Sequence, residues 1–169
     1  MSPSVIAVFC DHLERSLEWR VLHVTDEQPL APRTVYVAGA DHHLEVVRRA
    51  SDLWCVPKTG APVRGCIPSV DELFRSAARS VGQRCVAVVL TGIGRDGEEG
   101  SRALHQEGAV VLAQDASSSV VWGMPGAVAR AGYATEVLPL DELSAYVRGC
   151  LTSPMSKPSA NGSEPYLAG

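Results

Sequence analysis

The chain has 169 residues, of which 46% are hydrophobic, 20% charged and 5% aromatic. That is the length of one domain, with enough apolar material for a packed core and too much for a disordered chain. A net charge of −4 supplies no field to recruit nucleic acid, and no apolar run approaches the roughly 20 residues that cross a bilayer. The five cysteines are odd in number and widely spaced, without a CxxC pair. They read as small hydrophobes in a reduced, cytoplasmic chain that needs no metal and no cofactor.

Taken in chain order, Ile6, Phe9, Cys10, Leu13 and Leu17 recur at helical spacing and predict an opening amphipathic helix ending near Trp19. Residues 21–24 form a short strand. TVYVA at 34–38 is a stronger one, β-branched and closed by Gly39, with LEVV at 44–47 as its hairpin partner. Glycines and prolines over 52–68 indicate an extended connection holding at most one small strand. Ser69 and Glu72 have the S-x-x-E spacing of a capping box, and Leu73, Phe74, Ala77, Ala78 and Val81 trace one face of the helix behind them.

CVAVVL at 85–90 is an unbroken apolar run of the kind buried on both faces. TGIGRDG leads from it into a helix reaching about Gln106, and AVVLA at 109–113 is the next strand. Strand, loop, helix and strand make a βαβ unit and so a parallel sheet. Gly123 and Pro125 divide the following stretch into a turn and a short helix. TEVL at 135–138 is a last strand and LDELSAYVRGCL a last helix, before a Ser/Pro/Gly-rich tail at 153–169 that is expected to be disordered.

The strongest chemical feature is LTGIGRDG at 90–97, because ligands of parallel α/β sheets bind beyond the carboxyl ends of strands. It lacks the Gly-Lys-Ser/Thr of a phosphate loop and the third glycine of a dinucleotide fingerprint. Asp96 has two readings on local grounds. It caps the following helix, with Glu99 three residues on, or it is a carboxylate held at a strand end to orient a histidine. His12 and His105 read as solvated. His42 and His43 point opposite ways in extended chain and share no metal. Ser117, Ser118 and Ser119 form a polar loop serving turns or lining the cleft, and Trp122 and Met124 serve equally as cleft wall or core.

TVYVAGADHHL, PSVDELFRSAA, VVLTGIGRDGEEG and VVLAQDASSSVVWGMPGAV, in this order, resemble the catalytic domain of the CheB family of chemotaxis protein-glutamate methylesterases. The corresponding family segments are Val-Tyr-Ile-Ala-Pro-Gly-Gly-x-His-Leu, Pro-Ser-Val-Asp-x-Leu-Phe, Leu-Thr-Gly-Met-Gly-x-Asp-Gly and a stretch built around Ala-Gln-Asp-Glu-x-Ser and Gly-Met-Pro. The resemblance covers about 9–150. It implies a three-layer α/β domain around a mainly parallel sheet with a small hairpin region, spanning 1–152. It also implies hydrolysis of glutamyl methyl esters on a methylated chemoreceptor or related signalling protein, through a serine nucleophile, a histidine base and an aspartate.

By motif Asp96 is that aspartate, the orienting carboxylate, and Ile93 stands where the family has methionine. The cleft candidates are Thr91, Gly92, Ile93, Gly94, His43, Gln114, Met124 and Pro125. The family's serine lies in Gly-Ala-Ser-Thr-Gly-Gly and its histidine in Gln-His-Met-Pro, and neither segment occurs here. Gly39-Ala40-Asp41 replaces Pro-Gly-Gly, and Gly126 stands where arginine usually follows Gly-Met-Pro. The resulting expectation is an N-terminally truncated domain without nucleophile or base, inactive on its own. Its exposed sheet edge would allow self-association. The alternative is a degenerate homologue that binds or regulates in chemotaxis-like signalling.

Overall fold

A computed structural model describes residues 3–152. Residues 153–169, the expected tail, lie outside the described residues. The first helix, α1 (Pro3–Ser16), ends a turn before Trp19. β1 (Arg20–Val24) pairs parallel with β3 (Thr34–Ala38). β2 (Gln28–Pro29), β4 (His43–Arg49) and β5 (Asp52–Lys58) form an antiparallel sheet in the order β2-β5-β4. The hairpin partner of β4 is therefore β5 and not β3, and the 52–68 connection begins with a seven-residue strand.

The second half follows the predicted βαβ path. α2 (Val70–Val81) precedes β6 (Val86–Val89), α3 (Glu98–Gln106), β7 (Val110–Gln114), α4 (Met124–Arg130), β8 (Glu136–Leu138) and α5 (Leu140–Thr152). β7 lies centrally between β6 and β8, parallel to both. All five of its residues are buried because helices cover both faces. Alternation along the strands sorts the side chains into layers. Val111, with Ala87 and Val89 of β6, meets Leu104, Ala77, Ala78 and Val128. Val110 and Leu112 meet Leu143, Tyr146 and Val147 of α5 on the opposite face. The domain is thus a three-layer α/β sandwich extended by the hairpin sheet.

Two contacts fix α2. Ser76 and Ser80, one turn apart, close the outer edge of β4. The Val46 N–H donates to Ser76 Oγ at 2.9 Å, and Ser80 Oγ donates to the Val46 carbonyl at 2.7 Å. The outer edge of β4 in the antiparallel sheet is thereby covered by a helix at this position.

On its other flank α2 packs against α3 so closely that a Cβ on Gly100 would lie 2.5 Å from Phe74 Cβ and 3.0 Å from the Asp71 backbone. Gly100→Ala is expected to force the helices apart and lower stability by about 2 kcal/mol, read as a shift in the urea midpoint. An unchanged midpoint would mean that the helices separate freely.

The cysteines are free among the described residues, and burial pushes the Cys55 thiol up to about 11.

Candidate functional site

Asp96 follows β6 and precedes α3, at the carboxyl end of the buried parallel strands, and is 5% exposed. Its side chain does not cap α3. Gly97 occupies that N-cap, in the left-handed region at φ 94°, without a side-chain cap bond. Asp96 turns instead to the start of α2. Its Oδ1 accepts from Ser69 Oγ at 2.8 Å and from the Asp71 N–H at 3.0 Å. Its Oδ2 accepts from the Val70 N–H at 2.8 Å. A carboxylate on the free amides of a helix N-terminus is stabilised by hydrogen bonds and by the helix dipole together.

The arrangement is reciprocal. Asp71, in the first turn of α2, accepts from the N–H groups of Gly97 and Gly100 at 3.0 and 2.8 Å through Oδ1. Each helix is capped by an aspartate belonging to its neighbour. Neither expected capping box forms. Ser69 makes no cap bond within its own helix, Glu72 pairs with Lys58 and Arg75, and Glu99 pairs with Arg102.

His43, at the first position of β4, completes the cluster. Its Nδ1 accepts from the Ser69 backbone N–H at 3.1 Å, and its Nε2 lies 3.0 Å from the Ala61 carbonyl. These partners define the neutral tautomer with the proton on Nε2. Ser69 and His43 are each 2% exposed.

The expectation that Asp96 has no serine and no histidine beside it is therefore corrected. Hydroxyl, imidazole and carboxylate form one buried, hydrogen-bonded, triad-like group. The expected inactivity and the expected lack of catalytic residues rested on that absence, and they fall with it. The wiring is particular: the hydroxyl donates directly to the carboxylate, and the imidazole holds the serine through its backbone amide.

The remaining cleft candidates assemble around the loop after β6. Thr91 N–H donates to Gln114 Oε1 at 2.8 Å, and Thr91 Oγ1 both donates to the Val121 carbonyl and accepts from its N–H. The Gly92 carbonyl accepts from the Gly123 and Met124 N–H groups at 3.1 and 2.9 Å. Pro125 is buried in the first turn of α4. Ile93, 84% exposed, projects from the loop. His43 does not join this set; it reaches Asp96 through Ser69.

Ser117 and Ser118 bond Asp115, and no loop serine meets His43. Ser69 and Asp71 were missed as site residues. Their sequence signal was present as a capping pattern, but nothing local shows that the partner is another helix.

A carboxylate, a hydroxyl and an imidazole are thus grouped at the strand ends of an α/β domain, residue types that acyl-transfer hydrolases also use. A sequence profile described as CheB methylesterase matches residues 1–147. A protein-glutamate methylesterase/protein-glutamine glutaminase of Nocardioides sp. is 48% identical over 143 residues, covering 85% of this chain and 39% of that protein. One from Hahella chejuensis is 42% identical over 140 residues, covering 83% and 39%. The crystal structure of the Thermotoga maritima CheB methylesterase catalytic domain superposes with a TM-score of 0.83 at 29% identity, over 87% of this chain and 78% of that one. The chain belongs to the CheB methylesterase family. It spans about two fifths of the length of the curated relatives it matches.

Proposed function

We propose that this chain serves a CheB-type protein-glutamate methylesterase, which hydrolyses γ-methyl esters of glutamate on a methylated chemoreceptor or related signalling protein. The observation that carries this is Asp96, buried at the end of β6 with Ser69 Oγ on one carboxylate oxygen and His43 one hydrogen bond further away. The relatives, protein-glutamate methylesterases/protein-glutamine glutaminases, support the substrate class. Ester hydrolysis by acyl transfer needs a hydroxyl to attack the carbonyl and a base to take its proton. Methanol then leaves, and water releases the glutamate. Ser69 is the hydroxyl of that site; its proton faces the Asp96 carboxylate directly, while His43, whose ring nitrogens face the Ser69 N–H and the Ala61 carbonyl, holds Ser69 in place.

The ester approaches the cluster along the loop of Thr91, Gly92, Ile93 and Gly94, which leads from β6 into Asp96 and from which Ile93 projects. Gln114, Met124 and Pro125 lie behind that loop.

The test is methanol release from a receptor segment carrying glutamate γ-methyl esters. The wild-type chain is expected to release methanol above the uncatalysed rate, and Ser69→Ala to reduce that release at least a hundredfold. Full activity in Ser69→Ala would overturn the assignment of Ser69. No release by the wild-type chain would overturn the reading as a whole.

A further inference from the structure

Next to the Asp96 cluster, between the start of α3 and the end of α4, lies a cavity of about 250 Å³ lined by Arg95, Glu98, Ala127, Arg130 and Ala131. It falls below the roughly 300–1,000 Å³ of pockets for drug-sized ligands, so it suits one side chain better than a free metabolite. Its two arginines are not equivalent. Arg95 is paired, with Nε and Nη2 each 2.7 Å from a carboxylate oxygen of Glu98.

Arg130 has no carboxylate within ion-pair distance among the described residues. Its guanidinium lies 5.1 Å from the centre of the Trp122 ring. That ring is itself fixed, because its Nε1 donates to the Gln114 carbonyl at 2.8 Å. The cation–π contact holds the planar fork, and among the described residues its N–H donors have no hydrogen-bond partner.

Two further observations show that this geometry is built in. A Cβ at Gly126 would lie 2.9 Å from Cδ2 of Trp122 and 3.1 Å from Nη1 of Arg130. The bare glycine leaves room for the stack. Glu98, 7% exposed, bonds Arg95, lies 3.9 Å from Arg64 Nη1 and feels the charge of Arg130 at longer range. The charged lining of Arg95, Arg130 and Glu98 therefore carries one positive charge in excess.

We propose that this cavity receives the carboxylate of an acidic side chain on a bound peptide, gripped by the guanidinium of Arg130. The inference rests on the methylesterase reading and deepens it. Trp122 is bridged to Gly92, in the loop along which that reading brings the ester. The peptide that brings a methyl ester to the loop would thus carry an aspartate or glutamate close to the ester. The chemical class of the substrate is then an acidic peptide, selected by a bidentate salt bridge outside the reacting cluster.

The experiment is a nuclear magnetic resonance titration of the isotope-labelled chain, read at the indole N–H of Trp122 and assigned by replacing Trp19 and Trp54. The probes are two alanine-based helical peptides, each with one glutamate γ-methyl ester. One has glutamate a single turn away, and the other has glutamine there. Glutarate serves as a small-molecule arm.

The glutamate peptide is expected to bind about tenfold more tightly than the glutamine peptide, the scale of a charge-assisted hydrogen bond to arginine. Arg130→Gln, on the exposed end of α4, is expected to remove that preference. Gly126→Ala, which crowds the stack, is expected to weaken it. Equal binding of the two peptides, or a preference that survives Arg130→Gln, would overturn the inference. Glutarate binding as tightly as the glutamate peptide would overturn the peptide as the ligand's source.

The titration is run in the Ser69→Ala background, where the ester is expected to persist, and methanol release is measured separately on the wild-type chain, so the two readings fail separately. Charge-selective binding without methanol release overturns only the methylesterase reading. Methanol release with charge-blind binding overturns only the role of Arg130.

Discussion

Asp96→Asn is expected to abolish methyl-ester hydrolysis and to lower stability by about 3 kcal/mol. The carboxylate accepts three hydrogen bonds through two oxygens, from Ser69 Oγ, Val70 N–H and Asp71 N–H. Asparagine keeps one acceptor. If its oxygen serves Ser69 and Asp71, its amide donor faces the Val70 N–H, and the buried amide at the start of α2 is left unsatisfied. That costs about 1–3 kcal/mol, and losing the negative charge at the helix N-terminus adds up to about 2 kcal/mol.

Two measurements separate the structural and chemical consequences. Urea unfolding reads the capping loss. Methanol release at a temperature where the variant is fully folded reads the chemistry. Ser69→Ala removes only one of the three bonds and is expected to cost about 1 kcal/mol of stability. A folded Asp96→Asn protein with wild-type turnover would show that Asp96 only joins helices.

That dual service explains what local patterns reveal and what they hide. β3, α2, α3 and β7 were legible because their hydrophobic spacing answers to a local period, and their bounds in the structure fall within a residue or two of the expected ones. β5 was hidden by Pro57. The proline is tolerated because β2 covers only Trp54 and Cys55 on that side of the strand, so the missing donor falls where no strand needs it. The β4–β5 turn was hidden because it has no glycine or asparagine; Ala50 itself takes the left-handed conformation at φ 51°.

The site was half legible for a related reason. Ser69, Asp71 and Asp96 each carry the residue types of helix caps, and the same letters serve whether the capped helix is their own or a neighbour. Only the close packing of α2 on α3, set by Gly100, decides that the caps are exchanged. The absence of the family's serine and histidine segments said nothing about Ser69 and His43, which come together from strand β4 and the start of α2.

The exchange of caps makes Asp71 the second position of large effect. Asp71→Ala is expected to lower stability by about 3 kcal/mol and to reduce ester hydrolysis as well. Asp71 is fully buried, and its Oδ1 is the acceptor for the Gly97 and Gly100 N–H groups. Alanine leaves both donors of the first turn of α3 without a partner in a contact too tight for a helix to shift cheaply. Gly97 directly follows Asp96, so disorder at that turn displaces the carboxylate from Ser69.

Asp71→Asn keeps an acceptor for both glycines, while its new amide faces Arg64, whose Nε lies 3.6 Å from Oδ2. It is therefore expected to lose less than Asp71→Ala. The decisive measurement is a double-mutant cycle between Asp71→Ala and Asp96→Ala. Two independent caps would add, whereas a reciprocal joint is already broken by the first substitution. The pair should fall short of additivity by 1 kcal/mol or more, on the scale of about 0.5–3 kcal/mol seen for coupled neighbours. Strict additivity would mean that the two helices are capped separately and that Asp71 has no hold on the position of Asp96.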